Sequence, residues 1–463
     1  MITSFTFTIT FYLYFGISKF YSNRNIASGE PGITSLALLT LDKLTSSVEA
    51  YITVDEMKGK NAMYAVIRTF NQISNLFCLV RENLVFRDGK LVGFVNYGER
   101  GTSVKLASHI CMFYLRSFKK EISLPLGWWP TATTPAHILA SMFWEALGVC
   151  EYRNVHIHAV VADGASTNRR FFKIIHGSIL KPDYTNFTAP NPYRPDQPIF
   201  LCSDTSHLLK TARNSLYSSK PGSSKYMCKQ GHDILWTHIK ELYTLDQAQP
   251  LHKTRLCRVH MDLNSYSKMR VSIARDVLSW NVGQSLKEDV NGSLGTAEYV
   301  LLFDRWFEIV TCGAKCPIRS PHDERLKWLE EDFIPYFLEW QNEVEVLYKG
   351  EEKRILARPT LEGLLFTTRN MVKLAKRLLQ NGLEYVCLRI LTQDVLEAVF
   401  GDLRSRMAHC RNPDISQVGY GISAVTQRKI IKRVKGGNTT FGAQNPWQSV
   451  CSDPLPKRQK VPK

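Results

Sequence analysis

Hydrophobic residues recur with different spacings in different parts of the chain. Between residues 51 and 203, short apolar runs typical of β-strands alternate with amphipathic stretches typical of helices. A helix is predicted at residues 135–147. Strands are predicted at residues 51–55, 91–97, 107–118, 155–162 and 198–202. This alternation predicts a sheet with helices packed on it, the α/β class.

From residue 204 to about residue 390 the strand pattern disappears, and apolar positions lie three and four residues apart. Helices are predicted at residues 270–286, 298–310 and 325–347. In the first of these, one face carries Val271, Ala274, Val277, Leu278 and Val282. We therefore expect an all-helical block after the α/β part.

A further amphipathic helix is predicted in the run QDVLEAVFGDLRSR, residues 393–406. Residues three and four apart share a helix face, so its apolar and polar positions separate. The apolar stripe consists of Leu396, Val399, Phe400 and Leu403. The opposite face carries Asp394, Glu397, Gly401 and Arg404.

Three acidic residues stand out by their place in this pattern. Asp55 and Asp163 each close a predicted strand, and Glu397 lies on the polar face of the helix. If they converge, their mutual repulsion requires hard cations, and Mg²⁺ or Mn²⁺ prefers such oxygen ligands. Two such ions suit phosphodiester chemistry. Spacing alone leaves the other interpretation open, in which these acids cap local structure or lie on the surface.

The amino-acid composition limits the class of protein and the kind of partner that this chain can have. With 44% hydrophobic and 22% charged residues, the chain is neither wholly disordered, collagen-like nor a polytopic membrane protein. The net charge of +17 favours a phosphate-bearing partner, either nucleic acid or an anionic membrane surface. The 11 cysteines are scattered, which indicates reduced thiols inside a cell. A zinc site formed by Cys257, His260, Cys312 and Cys316 is the alternative to ordinary buried thiols.

The two ends of the chain differ in character. Residues 2–17 carry no charge but are too few to span a bilayer. A strand or unanchored peptide, a targeting segment and sequence that is not native coding material all remain open. The basic run at residues 456–460 resembles a nuclear localisation signal, with a solvated tail as the alternative.

Five sequence blocks together resemble the P-element transposase family and its THAP-domain relatives. The blocks are DEMK at 55–58, LVGFV at 91–95, ADGASTNRRFF at 162–172, SDTSHLLKTARNSL at 203–216 and QDVLEAVFGDLRSR at 393–406. The resemblance implies an RNase H-like catalytic domain of the DDE type, interrupted by an α-helical GTP-binding insertion. We accordingly expect an N-terminal segment (1–44), a catalytic domain in two parts (45–203 and 391–425), the insertion (204–390) and a basic tail (426–463).

The resemblance also implies roles for individual residues. Asp55, Asp163 and Glu397 match the catalytic acids, which would hold two Mg²⁺ or Mn²⁺ ions. Lys210 matches a nucleotide-contacting lysine, Asp394 matches a position that reads guanine, and Asp204 is assigned to the same GTP site. Arg404 and Arg406 are assigned to DNA phosphates. No GxxxxGK[ST] loop is present, so the usual phosphate motif gives GTP no separate support.

The sequence departs from the family pattern in three places. The first fifty residues contain no cysteine or histidine, so the THAP zinc finger is missing; residues 59–80 form an extra segment; and the glycines expected before Asn412-Pro413 are absent. The leading hypothesis is a truncated or decayed DNA transposase that acts in the nucleus, with a possible homo-oligomer and no membrane role. The alternative is a domesticated, non-catalytic derivative that binds DNA or protein.

Overall fold

The structure is a computed structural model, and it describes residues 31–57, 84–87, 90–119, 122–178, 182, 184–406 and 415–430. The predictions for residues 2–17, for the extra segment at 59–80 and for the basic runs after residue 430 lie outside these residues. No described helix is long and apolar enough to cross a membrane.

Strands in the described residues fall mainly into one mixed sheet. The strands are β1 (Gly32–Ile33), β2 (Val48–Met57), β3 (Val85–Arg87), β4 (Lys90–Val92), β5 (Phe94–Asn96), β6 (Thr102–Leu106), β7 (His109–Ser117), β8 (Ser123–Thr131), β9 (Val155–Ala162), β10 (Thr188–Ala189), β11 (Ile199–Ser203), β12 (Met227–Lys229) and β13 (His232–Ile234). The sheet has the order β1-β8-β7-β2-β9-β11-β10. Within it, β2, β9 and β11 are parallel to one another. Strand β7 runs antiparallel to β2, and β8 runs antiparallel to β7.

The predicted strands at 107–118, 155–162 and 198–202 are confirmed as β7, β9 and β11. The strand predicted at 51–55 is longer, because β2 continues to Met57. The single strand predicted at 91–97 is wrong. Gly93 has a φ of 134°, which breaks the run into β4 and β5, and these belong to two separate hairpins.

The helices of the described residues are α1 (Ser35–Leu41), α2 (Ala136–Tyr152), α3 (Ser166–His176), α4 (Thr205–Ser218), α5 (Trp236–Gln247), α6 (Arg258–Met261), α7 (Val271–Val277), α8 (Trp280–Asp289), α9 (Leu294–Val310), α10 (Glu324–Trp328), α11 (Ile334–Leu347), α12 (Arg358–Gln380), α13 (Asp394–Arg406) and α14 (Ile415–Ile430). The helix predicted at 270–286 is interrupted at Leu278, where ψ is 64°. The predicted helix at 325–347 is present, with a π-helical turn at Leu329–Phe333 joining α10 to α11. The block is therefore helical apart from the β12–β13 hairpin.

Three apolar clusters bury the two faces of the sheet. Helices α2 and α3 cover one face through residues such as Phe143 and Phe171, which pack with Ile52 of β2. On the other face, α13 and α14 cover β7 and β8. Beside them, α4 and the helices that follow cover β9 and β11, with Val161 and Phe200 in the same cluster. Helices thus cover both faces of the sheet.

Candidate functional site

Three parallel strands have an acidic residue at or near their carboxyl ends, along one edge of the sheet. Thr53 of β2 pairs with Val161 of β9, so Asp55 and Asp163 both lie two residues further along. Ala162 pairs with Ser203 of β11, so Asp204 is next in line. Neighbouring strands are about 4.8 Å apart, and this edge gathers the three acids side by side. We call Asp55, Asp163 and Asp204 the acidic edge.

Asp163 is held by the turn into α3. Its Oδ1 accepts hydrogen bonds from the backbone N of Ala165 at 2.8 Å and from Nδ2 of Asn168 at 2.6 Å. Both bonds reach the same oxygen, so Oδ2 is the atom that could bind a ligand. Next to it, Gly164 lies against His207, since a Cβ at Gly164 would come within 2.8 Å of the His207 ring. Burial lowers the pKa of His207, and the charge of Asp163 opposes that effect.

Asp204 is in a different environment, because it is only 5% exposed. Its Oδ2 accepts from the backbone N of His207 at 2.7 Å, which caps α4. Its Oδ1 accepts from the backbone N of Gln393 at 3.1 Å. Burial raises the pKa of Asp204 to about 6; these two hydrogen bonds and the charge of Lys210 oppose the rise, and Asp394 adds to it. Both oxygens of Asp204 therefore hold backbone.

Gln393 attaches the start of α13 to the acidic edge. Its Nε2 donates to the carbonyl of Val54 at 2.8 Å, one residue before Asp55. Its own carbonyl accepts from the backbone N of Leu396 and of Glu397 at 2.9 and 3.1 Å, which begins the helix. The first turn of α13 is thereby fixed beside the ends of β2 and β11.

Asp394 and Glu397 are both exposed on that first turn, and the apolar stripe of α13 is buried, as predicted. Asp394 lies near Tyr51, whose pKa burial raises to about 12 with a contribution from that carboxylate. Within the described ranges, however, no three His, Cys, Asp or Glu side chains lie close enough together to hold a metal ion. The donor types suit Mg²⁺ or Mn²⁺, but the assignment of Asp55, Asp163 and Glu397 as one ligand set stays a prediction.

The other residues singled out from the sequence lie on α4, α13 and α6. Lys210 is half-buried on α4, two turns from Asp204. Arg404 and Arg406 lie in the last turns of α13, and their side chains fall outside what the structure describes. Of the possible zinc ligands, Cys257 and His260 contact each other at 3.2 Å in the first turn of α6.

The sequence interpretation missed Gln393 and His207, both of which contact the acidic edge. Neither residue has a local signal. Glutamine is not a preferred helix cap, and His207 is the third residue of an ordinary amphipathic helix. The contact of Gln393 with Asp204 joins residues 189 apart in the chain, and the ring of His207 meets Gly164 from a different strand end, so only the fold identifies these two contacts.

Two family descriptions match parts of the chain. Residues 78–176 match the TNP-like RNase H N-terminal domain. Residues 206–318 match the TNP-like GTP-binding insertion domain. The sheet part therefore corresponds to an RNase H-like domain and the helical part to a GTP-binding insertion domain, which confirms the predicted fold class.

A curated protein and a solved structure point the same way. The Transposable element P transposase of Drosophila melanogaster is 23% identical over 234 residues, which is 48% of this chain and 29% of that protein. The chain thus spans less than a third of the relative's length in this match. The Drosophila P element transposase strand transfer complex matches with a TM-score of 0.65 and 18% identity, over 89% of this chain and 84% of that one. These findings make the chain a relative of the P-element transposase family.

Proposed function

We propose that the chain is a P-element-like DNA transposase that cleaves phosphodiester bonds and transfers strands, with GTP as a bound cofactor. The observation that carries the proposal is the acidic edge. Asp55 and Asp163 lie at matching levels on neighbouring strands, and Gln393 holds the helix bearing Glu397 against the same strand ends. Acids from two strand ends and one helix are the arrangement that the family resemblance implies.

The chemistry is an in-line displacement at phosphorus. A water oxygen attacks the phosphorus and loses a proton to solvent. The bond from phosphorus to the DNA 3′ oxygen breaks, and that oxygen takes up a proton from solvent to become a 3′ hydroxyl. That hydroxyl then attacks a second phosphodiester, so one phosphorus–oxygen bond forms as another breaks. Bound Mg²⁺ or Mn²⁺ would stabilise charge on the attacking and leaving oxygens. Asp55, Asp163 through Oδ2, and Glu397 would hold these ions.

GTP would bind where α4 meets α13. Lys210 would supply positive charge for the phosphates, and Asp394 would accept hydrogen bonds from N1 and N2 of guanine, which adenine does not offer. The exposure of Asp394 beside the acidic edge supports this role. Asp204 accepts hydrogen bonds from the backbone N of His207 and of Gln393, so it would hold the starts of α4 and α13 together at the GTP site.

DNA is the proposed partner, and the net charge of +17 supports it. Binding would rest on phosphate contacts by lysine and arginine, including Arg404 and Arg406, and would take place in the nucleus, with a homo-oligomer possible. We propose the domain limits 1–44, 45–203, 204–390, 391–425 and 426–463 as the working division.

The test is a cleavage assay on the full chain with plasmid DNA and Mg²⁺. Cleavage should occur and should be lost in Asp163→Asn, which keeps the side-chain shape but removes the charge. The matched control is Asp196→Asn, an exposed acid outside the acidic edge. Cleavage that survives Asp163→Asn contradicts the assignment of this residue.

A second candidate is a non-catalytic derivative that uses the same fold to bind DNA or protein. The observation favouring it is that no three metal-ligating side chains gather within the described part of the chain. Calorimetry with Mn²⁺ separates the two functions. The catalytic protein should bind Mn²⁺ and lose that binding in Asp163→Asn, whereas the derivative should bind DNA with no Mn²⁺ signal.

A further inference from the structure

A cavity of about 140 Å³ lies next to the acidic edge, between α3, α4 and the first turns of α12. Gly164, the residue after Asp163, forms part of its wall. Aromatic rings make up much of the remaining wall. These rings are Phe172, Tyr184, Phe187 and Phe366, and they pack against one another at centroid distances of 4.9–6.2 Å. A rigid aromatic enclosure of this kind suits a flat ligand.

Two cationic side chains belong to the rest of the wall. Arg169 and Lys173, one turn apart on α3, line the cavity together with His207 of α4. Arg169 is fixed by its hydrogen bond to the carbonyl of Gly164. The acidic lining residue, Glu362, already pairs with Arg358 at 2.8 Å. Arg169 and Lys173 therefore offer positive charge to a ligand.

Glycine lets two helices approach closely around this space. At Gly363 of α12, an added Cβ would lie 3.0 Å from the side chain of Leu208 on α4. Thr360, one turn earlier, lines the cavity and is half-buried. A larger side chain at position 360 would fill the cavity from α12 while leaving the contact between Gly363 and Leu208 in place.

We propose that this cavity binds one nucleotide, with its base among the aromatic rings and its phosphate against Arg169 and Lys173. An apolar cavity of about 150 Å³ holds a benzene molecule, so the space here fits one six-membered ring, as in a pyrimidine. Bases stack readily on aromatic side chains, and lysine and arginine bind phosphate. Neither Lys210 nor Asp394 lines the cavity, which separates it from the proposed GTP contacts.

Two sources could supply such a nucleotide, namely an unpaired end of a DNA strand and a free nucleoside monophosphate. The first rests on the proposed function and would place a DNA end beside Asp163, because Gly164 is shared between the cavity wall and the turn after β9. An unpaired base is the easier one to insert, since no base pair has to be broken. The second source requires no DNA activity.

The experiment measures binding of three probes to the full chain at one salt concentration: a blunt DNA duplex, the same duplex with a short thymidine overhang, and thymidine 5′-monophosphate. Thr360→Phe should fill the cavity, and Thr360→Ser is its matched control. Lys173→Ala should remove a phosphate contact. Arg170→Ala is the control for it, because Arg170 is an exposed cation on the same helix that does not line the cavity.

The parent should bind the overhang duplex more tightly than the blunt one, and Thr360→Phe should weaken overhang binding about tenfold without changing blunt binding. Thr360→Ser should behave as the parent, and Lys173→Ala should lose more affinity than Arg170→Ala. The same pattern with the monophosphate alone supports the cavity with the free nucleotide as its source. Equal binding of all variants, or no binding of either unpaired probe by the parent, overturns the proposal.

Melting temperatures show whether Thr360→Phe folds, and if it does not, the Lys173→Ala and Arg170→Ala pair decides. This outcome is separate from the cleavage assay. If the chain prefers the overhang duplex but does not cut DNA, the cavity proposal stands and the nuclease proposal fails. If the chain cuts DNA but no variant shows a preference for the overhang, the nuclease proposal stands and the cavity proposal fails.

Discussion

At the scale of single residues, the acids around the sheet edge differ in how much solvent and how many partners each one has. Asp204 is buried, and both of its oxygens accept backbone hydrogen bonds. Asp55 and Asp163 are half-exposed, and Asp394 and Glu397 are exposed. A carboxylate that already holds two backbone groups stabilises structure, whereas one that faces solvent can meet an ion or a base. Burial therefore separates Asp204, which stabilises the fold, from the four more exposed acids, which can bind a ligand.

Asp204 should make stability depend on pH. Its pKa is raised from 3.8 to about 6 in the folded chain, so the folded state holds this proton more tightly than the unfolded state. The free energy of unfolding should then fall as pH rises through this interval, by at most about 3 kcal/mol, and level off above it. Asp204→Asn cannot ionise. Urea unfolding across this pH range should show the parent losing stability relative to the variant, and parallel curves would contradict the prediction.

Asp394 and Glu397 should affect different ligands, although they are one helical turn apart. Asp394→Ala should weaken GTP binding about 10- to 100-fold, since hydrogen bonds to a charged group are lost, and should leave Mn²⁺ binding intact. Glu397→Ala should do the reverse. Calorimetry of both ligands on both variants measures this, with the exposed Glu384→Ala as the control. An equal loss of affinity for GTP and Mn²⁺ in both variants would contradict the separate roles of Asp394 and Glu397.

At the scale of elements, α13 was predictable and its anchor was not. The apolar spacing of Leu396, Val399, Phe400 and Leu403 indicates the helix and its buried face, and both are confirmed. The contact that positions the helix joins Gln393 to Val54, which are 339 residues apart. No local pattern carries such a contact. Strand β8 was missed for a related reason, because Pro125 and Pro130 argue against a strand unless β1 and β7 are known to pair with it.

Gln393→Ala should damage the site without removing any acid. The variant leaves the buried carbonyl of Val54 without its side-chain partner, which costs about 1–3 kcal/mol of stability. It also frees the first turn of α13, so Mg²⁺-dependent cleavage should fall more than stability does. Urea unfolding and the cleavage assay measure the two effects. Gln341→Ala, which removes a half-buried glutamine on α11 whose side chain bonds only to Glu345 in the same helix, is the matched control and should change neither.

At the scale of the whole molecule, the helical part and the sheet share one core. A single cluster joins Val161 and Phe200 of the sheet to Trp306 of α9. The longest described helix, α12, makes the polar connections. Its Asn370 donates to the carbonyl of Leu201 at 2.7 Å, and its Thr368 accepts from Trp306 at 3.0 Å. The change from strand to helix spacing near residue 204 indicated two parts, but periodicity does not show that their apolar faces meet.

This shared core predicts that damage deep in the helical part will reach the sheet. Trp306 is fully buried, and Trp306→Ala should cost about 3–5 kcal/mol, from the cavity that it leaves and from the lost partner of Thr368. Since α12 links Trp306 to β11, hydrogen exchange should speed up in β11 as well as in α9. Trp280→Ala removes the same side chain from an exposed site, and exchange in β11 should stay at the parent's rate. Faster exchange confined to α9 in Trp306→Ala would mean that the two parts unfold independently.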